Sequence, residues 1–217
     1  MTTRRQTPDA RRQTEPDRSP RVLVIACGAL ARELVDVIKG NGLTWVDVEC
    51  LPARLHNTPD QITAAVERKL EAAAGRYEKV FVGYADCGTG GMLDAMLARR
   101  GVERLPGAHC YEFFAGAGLF ARVQDSEPGT FYLTDFLTKH FDRLVWEGLG
   151  LDRWPQLRDQ YFGNYRRLVY LSQIANDDLV AQAREAADRL GLEFEHMPVG
   201  YGEFQPAVIR AAGGAAA

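Results

Sequence analysis

Four cysteines, Cys27, Cys50, Cys87 and Cys110, are the residues of this sequence best suited to chemistry, and their placement is regular. The interval from Cys27 to Cys50 equals that from Cys87 to Cys110, as in a weak internal repeat or two βα units of ordinary length. Two cysteines run straight into glycine, as Cys27-Gly28 and Cys87-Gly88, each between a β-rich run and a helical one. A helix N-terminus stabilises thiolate over thiol, and thiolate is both the nucleophile and the metal ligand. His56, in the loop after Cys50, and His109, adjoining Cys110, supply nitrogen donors. Cys27, Cys87, Cys110, His109 and His56 are therefore the candidate metal ligands. Such a set suits zinc, and three or four thiolates suit an iron–sulfur cluster equally. Without a metal, Cys27 or Cys87 would act as nucleophile with a histidine base. One cysteine alone packs well as a small hydrophobe; four on one edge of a sheet point to a site.

Asp86-Cys87-Gly88-Thr89-Gly90-Gly91 is a glycine-rich turn between a strand and a helix, able to present backbone N–H groups to an anion. It matches neither G-x-G-x-x-G nor the lysine-bearing phosphate loop. Gly28, Gly88, Thr89 and Gly90 are the candidate cofactor-binding positions, with a tight turn as the plainer reading. Asp86 and Glu112 are the carboxylates placed to move a proton, and Glu112 is equally suited to the first turn of a helix.

The elements that must position these groups follow from apolar periodicity. Continuous apolar runs at 21–26, 79–84 and 168–171 read as buried parallel strands, with further strands at 45–49, 102–105 and 192–197. Helical spacing falls at 29–39, at 62–70 behind Thr58-Pro59, at 92–97 and at 176–190. Glu127-Pro128-Gly129-Thr130 reads as a turn, and Thr134-Asp135 as a helix cap. This alternation predicts an α/β fold: an open, doubly wound, Rossmann-like parallel sheet with a helical, aromatic-rich insert after strand four. In such a sheet the first four strand ends, and the cysteines after them, share the edge where ligands bind.

The chain has 217 residues, 46% apolar and 25% charged, with a net charge of −3, which fits a globular protein with no general pull toward nucleic acid. A chain this long buries roughly 70% of its unfolded surface and needs no disulfide or metal to fold, so any metal is free to be functional. Residues 1–20 read as a disordered Arg/Pro-rich tail, 21–207 as one α/β domain and 208–217 as a frayed Ala/Gly tail. No membrane span or signal peptide is evident, and the expected location is the cytoplasm.

Cys27-Gly28, Leu55-His56-Asn57, Gly83-Tyr84 with Cys87-Gly88, His109, Cys110 and the Pro128-Gly129-Thr130 turn together resemble the family called domain of unknown function 1638, from about Val22 to about Phe204. Members carry His-Asp-Cys where this chain has His109-Cys110, and Cys50 is less typical than the other three. The resemblance implies association with corrinoid-dependent methyltransferase systems, hence one-carbon metabolism and partners from such a system. The Asp-x-His-x-x-Gly signature of corrinoid binding is absent. The expectation is a zinc or iron–sulfur protein acting on a small molecule, with a metal-free thiol enzyme or a metal or corrinoid chaperone as alternatives.

Overall fold

The computed structural model describes residues 21–214; the predicted N-terminal tail, 1–20, and residues 215–217 lie outside that range. The alternation of strands and helices is borne out, and every strand pairing is parallel. Strands β1 (Val22–Cys27), β2 (Val46–Leu51), β3 (Lys79–Gly83) and β4 (Glu103–Arg104) form one sheet in the order β2-β1-β3-β4. Strands β5 (Thr130–Leu133), β6 (Arg167–Ser172) and β7 (Glu193–Pro198) form a second, in the order β5-β6-β7.

The expected insert is thus where the single sheet divides. Thr130-Phe-Tyr-Leu133 is a strand buried at three of its four positions, and it seeds the second sheet against β6. A four-residue apolar run is too short for its period to separate strand from helix, and this one stands among aromatic residues that suit either. β4 is only two residues long, so the first sheet ends early and the chain leaves it through α4 (Cys110–Ala115) and α5 (Ala117–Ser126).

β1 is buried at every position because helices cover both faces of its sheet. α1 (Ala31–Gly40) turns Leu34 and Val37 inward and leaves Arg32 and Lys39 in water, while α2 (Ile62–Ala73) and α3 (Met92–Arg100) bury Ile62, Val66, Leu93 and Leu97. Leu23 and Ile25 have no exposed surface, and truncating either to alanine is expected to cost about 2–5 kcal/mol. The second core gathers Leu133, Phe162, Leu168 and Tyr170 beneath α6 (Asp135–Lys139), α7 (Leu157–Phe162) and α8 (Asp177–Leu190). Asn176 caps α8 by accepting from the Leu179 N–H at 3.0 Å.

The C-terminal end requires a correction. α9 (Phe204–Ala211) returns to the first core, burying Val208, Ile209, Ala211 and Ala212, and the Trp45 indole donates to the Ala212 carbonyl at 3.0 Å. Residues 208–212 are therefore not frayed. Their alanines read as a low-complexity tail, but apolar packing on α1 orders them. No helix among the described residues is long and apolar enough to cross a membrane.

Candidate functional site

Cys27 ends β1, where the chain turns into a short 3-10 segment (Gly28–Leu30) and then α1. Its Sγ accepts from the Ala29 N–H at 3.4 Å, so the thiol caps the start of the turn. Gly28 is needed here: a Cβ at this position would stand 2.9 Å from the Leu51 carbonyl oxygen. The 3-10 segment Ala53–Asn57, after β2, brings His56 across so that Nε2 lies 3.1 Å from Cys27 Sγ. Sequence separation hides this pair, and adjacent parallel strands create it.

Cys27 is 1% exposed, and burial pushes its thiol up to about 11 despite the Ala29 amide, which favours the thiolate. Desolvation, reinforced by His109, holds the His56 imidazole below its ordinary value. His56 keeps accessible surface and lines a cavity. The pair is accordingly a neutral thiol beside a neutral imidazole at physiological pH. Tyr84, after β3, has a fully buried hydroxyl with no hydrogen-bond partner among the described residues; burial, then the adjacent Cys27, raise its pKa. Tyr84 helps carry the family resemblance in the sequence but is not among the candidate site residues read there, where it stands as the last apolar position of a strand.

Cys87 and Cys110 are at the same edge. Burial raises Cys87 to about 12, with the charge of Cys27 adding to it, and raises Cys110 well above the ordinary thiol value, with Cys87 and Cys27 adding. Cys87 has φ +50°, the left-handed region that β-carbons disfavour, and no other non-glycine among the described residues has positive φ. With Gly88 at φ +84° it forms the centre of a turn closed by Thr89 N–H to the Asp86 carbonyl at 3.0 Å. Such strain persists only where the surroundings impose it. Cys50 lies apart, exposed on β2 opposite Ala26.

The predicted proton-moving and anion-binding groups are otherwise engaged. The Asp86 carboxylate accepts from Thr89 Oγ1 at 2.6 Å and from the N–H groups of Gly91 and Gly90 at 2.9 and 3.2 Å, which hold its pKa down. The loop's amides thus bind an internal anion. Glu112 accepts from the Ala108 N–H at 2.9 Å, closing the approach to α4 in the manner of a capping box. His109 is the exposed N-cap of α4, its ring 6.1 Å from that of Tyr111. No three His, Cys, Asp or Glu side chains among the described residues are gathered closely enough to hold a metal ion as they stand.

His56 and Cys110 open onto a cavity of about 180 Å³ where the two halves meet. Tyr111 joins them from the first half, and Phe131, Thr134 and Val145 face them from the second. The second half closes over the cavity with a π-helical turn, Asp142–Trp146, a geometry frequent at functional sites. Asn57 reaches across and donates to the Leu144 carbonyl of this turn at 3.3 Å.

Over residues 50–208 the sequence matches the family described as Protein of unknown function (DUF1638). The chain belongs to this family. Within the DUF1638 match lie His56, Cys87 and Cys110, while Cys27 precedes it. No curated protein and no solved structure matches the chain.

Proposed function

We propose that Cys27 and His56 are the first two donors of a site for a thiophilic metal, a zinc ion or an iron–sulfur cluster, completed by Cys87 and Cys110, beside a cavity for a small-molecule substrate. The observation that carries this reading is the 3.1 Å contact between Cys27 Sγ and His56 Nε2, with two further thiols, the buried Cys87 and the half-buried Cys110, at the same strand ends. A neutral imidazole is the ligating form, and three thiols that cannot ionise unaided in a buried space gain most from a cation. Rotation of Cys87 or Cys110 toward the pair would complete the set. When bound, the metal would supply Lewis acidity or an activated thiolate.

The chain's own groups would then act as follows. His56 and Cys110 present the centre to the cavity, and the apolar walls keep water away from it. The cavity is far too small for a corrin ring, so a corrinoid partner would approach from outside, consistent with the methyl-transfer setting the family resemblance implies. A second reading, metal-free thiol catalysis, is favoured by the same contact: His56 would take the Cys27 proton as the sulfur attacks.

Anaerobic purification followed by zinc and iron analysis tests the proposal. The expected result is near-stoichiometric metal, lost in Cys27→Ser and His56→Ala variants that remain folded. Full metal content in both variants would overturn it. Metal absent from the wild type after reconstitution with zinc or with iron and sulfide, together with stoichiometric alkylation of Cys27, would favour the thiol reading.

A further inference from the structure

The cavity beside His56 continues into a larger cleft of about 780 Å³, and Ala53, Asn57, Phe136 and Leu144 border both. The two spaces differ in character. The inner one carries no ionic side chain other than the titratable imidazole, thiol and phenol of His56, Cys110 and Tyr111; the outer one carries two arginines and no carboxylate. Arg54 comes from the 3-10 segment after β2, and Arg143 comes from the π-helical turn of the second half. Neither makes an ion pair or a side-chain hydrogen bond among the described residues. In contrast, Arg100, Arg104, Arg167 and Arg189 are all paired with carboxylates.

Two guanidiniums lining one cleft, from two separate cores and without a carboxylate partner among the described residues, favour an anion there. A guanidinium also presents a planar fork of donors that matches carboxylate and phosphate oxygens. We infer that the cleft between the two halves binds a small organic anion, a carboxylate or a phosphate ester, with its charged head between Arg54 and Arg143 and its apolar body in the inner cavity facing His56 and Cys110. This names the substrate class of the site proposed above and rests on that reading for what is done to the ligand. Asn57, which joins the two walls at the border of the two spaces, is the positioning residue between head and body.

Calorimetric titration of the full-length, metal-loaded chain with acetate, butanoate, hexanoate, hexyl phosphate and hexanol tests this. Hexanoate or hexyl phosphate is expected to bind at least about tenfold more tightly than hexanol, and comparison of the two anions identifies the preferred head. Affinity should rise by up to about fourfold per methylene from acetate to hexanoate as the body fills the inner cavity. Arg54→Gln and Arg143→Gln, at exposed positions where folding is not at risk, should each weaken anion binding about tenfold and leave hexanol unchanged. Equal affinity for hexanoate and hexanol, an unaffected double variant, or no binding of any probe would overturn the inference. Metal content measured on the same samples separates the two proposals. Arginine-dependent anion binding without metal leaves the inference standing and removes the metal reading, whereas full metal without anion binding does the reverse.

Discussion

The two sheets end differently. At the carboxyl edge of the first stand two buried thiols, one of them on a cysteine with positive φ, a half-buried third thiol, an imidazole and a tyrosine hydroxyl without a partner among the described residues. At the same edge of the second, the buried Asp135 carboxylate accepts from the Tyr170 hydroxyl at 2.7 Å and from the Gln173 and Ile174 N–H groups at 3.0 Å. Gln173 in turn accepts from the Asp135 N–H at 2.8 Å, and Ser172 pairs with His196 at 2.9 Å. Parallel sheets of the same class can thus end in a satisfied network that rigidifies or in unsatisfied groups that remain available. The second edge is closed by its own hydrogen bonds, and the first carries groups without partners among the described residues.

Removing Asp135 should produce the largest stability effect at physiological pH. Asp135→Ala leaves a buried hydroxyl and two buried amides unpaired, and is expected to cost about 4 kcal/mol in chemical denaturation. A loss under about 1 kcal/mol would show that the second edge is not the stiffer one.

The thiols predict an alkaline effect at the first edge that begins at lower pH than that of the buried tyrosines of the second sheet. Cys27 and Cys87 have their folded pKa values raised, to about 11 and about 12, so the stability they contribute is full below the ordinary thiol value of 9.0 and is lost as pH rises from there through 12. Metal-free protein should lose about 6 kcal/mol across that window, and Cys27→Ala with Cys87→Ala should reduce that loss. If the metal reading holds, metal-loaded protein, its thiols already deprotonated, should show no such loss.

Glu33 lies where the halves meet, 3% exposed, with Oε2 unpartnered and its pKa raised by burial and by the charge of Asp135. A raised carboxyl pKa means stability that is full below the ordinary value of 4.5 and is lost above it. Glu33→Gln should therefore raise stability by about 1 kcal/mol at neutral pH, with the gain vanishing in acid. An unchanged melting temperature at neutral pH would show that the carboxylate is compensated. The smallest effect is expected of Cys87→Gly, which relieves the left-handed strain and should raise stability by less than about 1 kcal/mol while removing one donor.

Strands such as 22–27 and 79–83 were legible because covered parallel strands read as unbroken apolar runs, and helices such as 177–190 because their apolar stripe and caps are local. β5 was not, since four residues carry too little periodicity, and with it went the division into two sheets. Among site residues, Cys27, Cys87, Cys110 and His56 were legible from residue type and strand-end position. Asp86 and Glu112 were legible as carboxylates beside the thiols, but their partners are backbone amides a few residues away, a choice that loop geometry makes. Tyr84 was legible only as part of the Gly83-Tyr84 pair that carries the family resemblance, and Arg54 and Arg143 left no local signal.

Residue types and their periodicity determined on their own that this chain folds as alternating strands and helices with parallel pairing, and that its thiols stand near strand ends, because local apolar periodicity sets the elements and helical crossovers between strands require parallel pairing. Only the tertiary structure decided that His56 meets Cys27, that the second half roofs the cavity, and that Arg54 and Arg143 share one cleft. Those contacts join segments dozens of residues apart, and their geometry is set by which helix packs on which sheet.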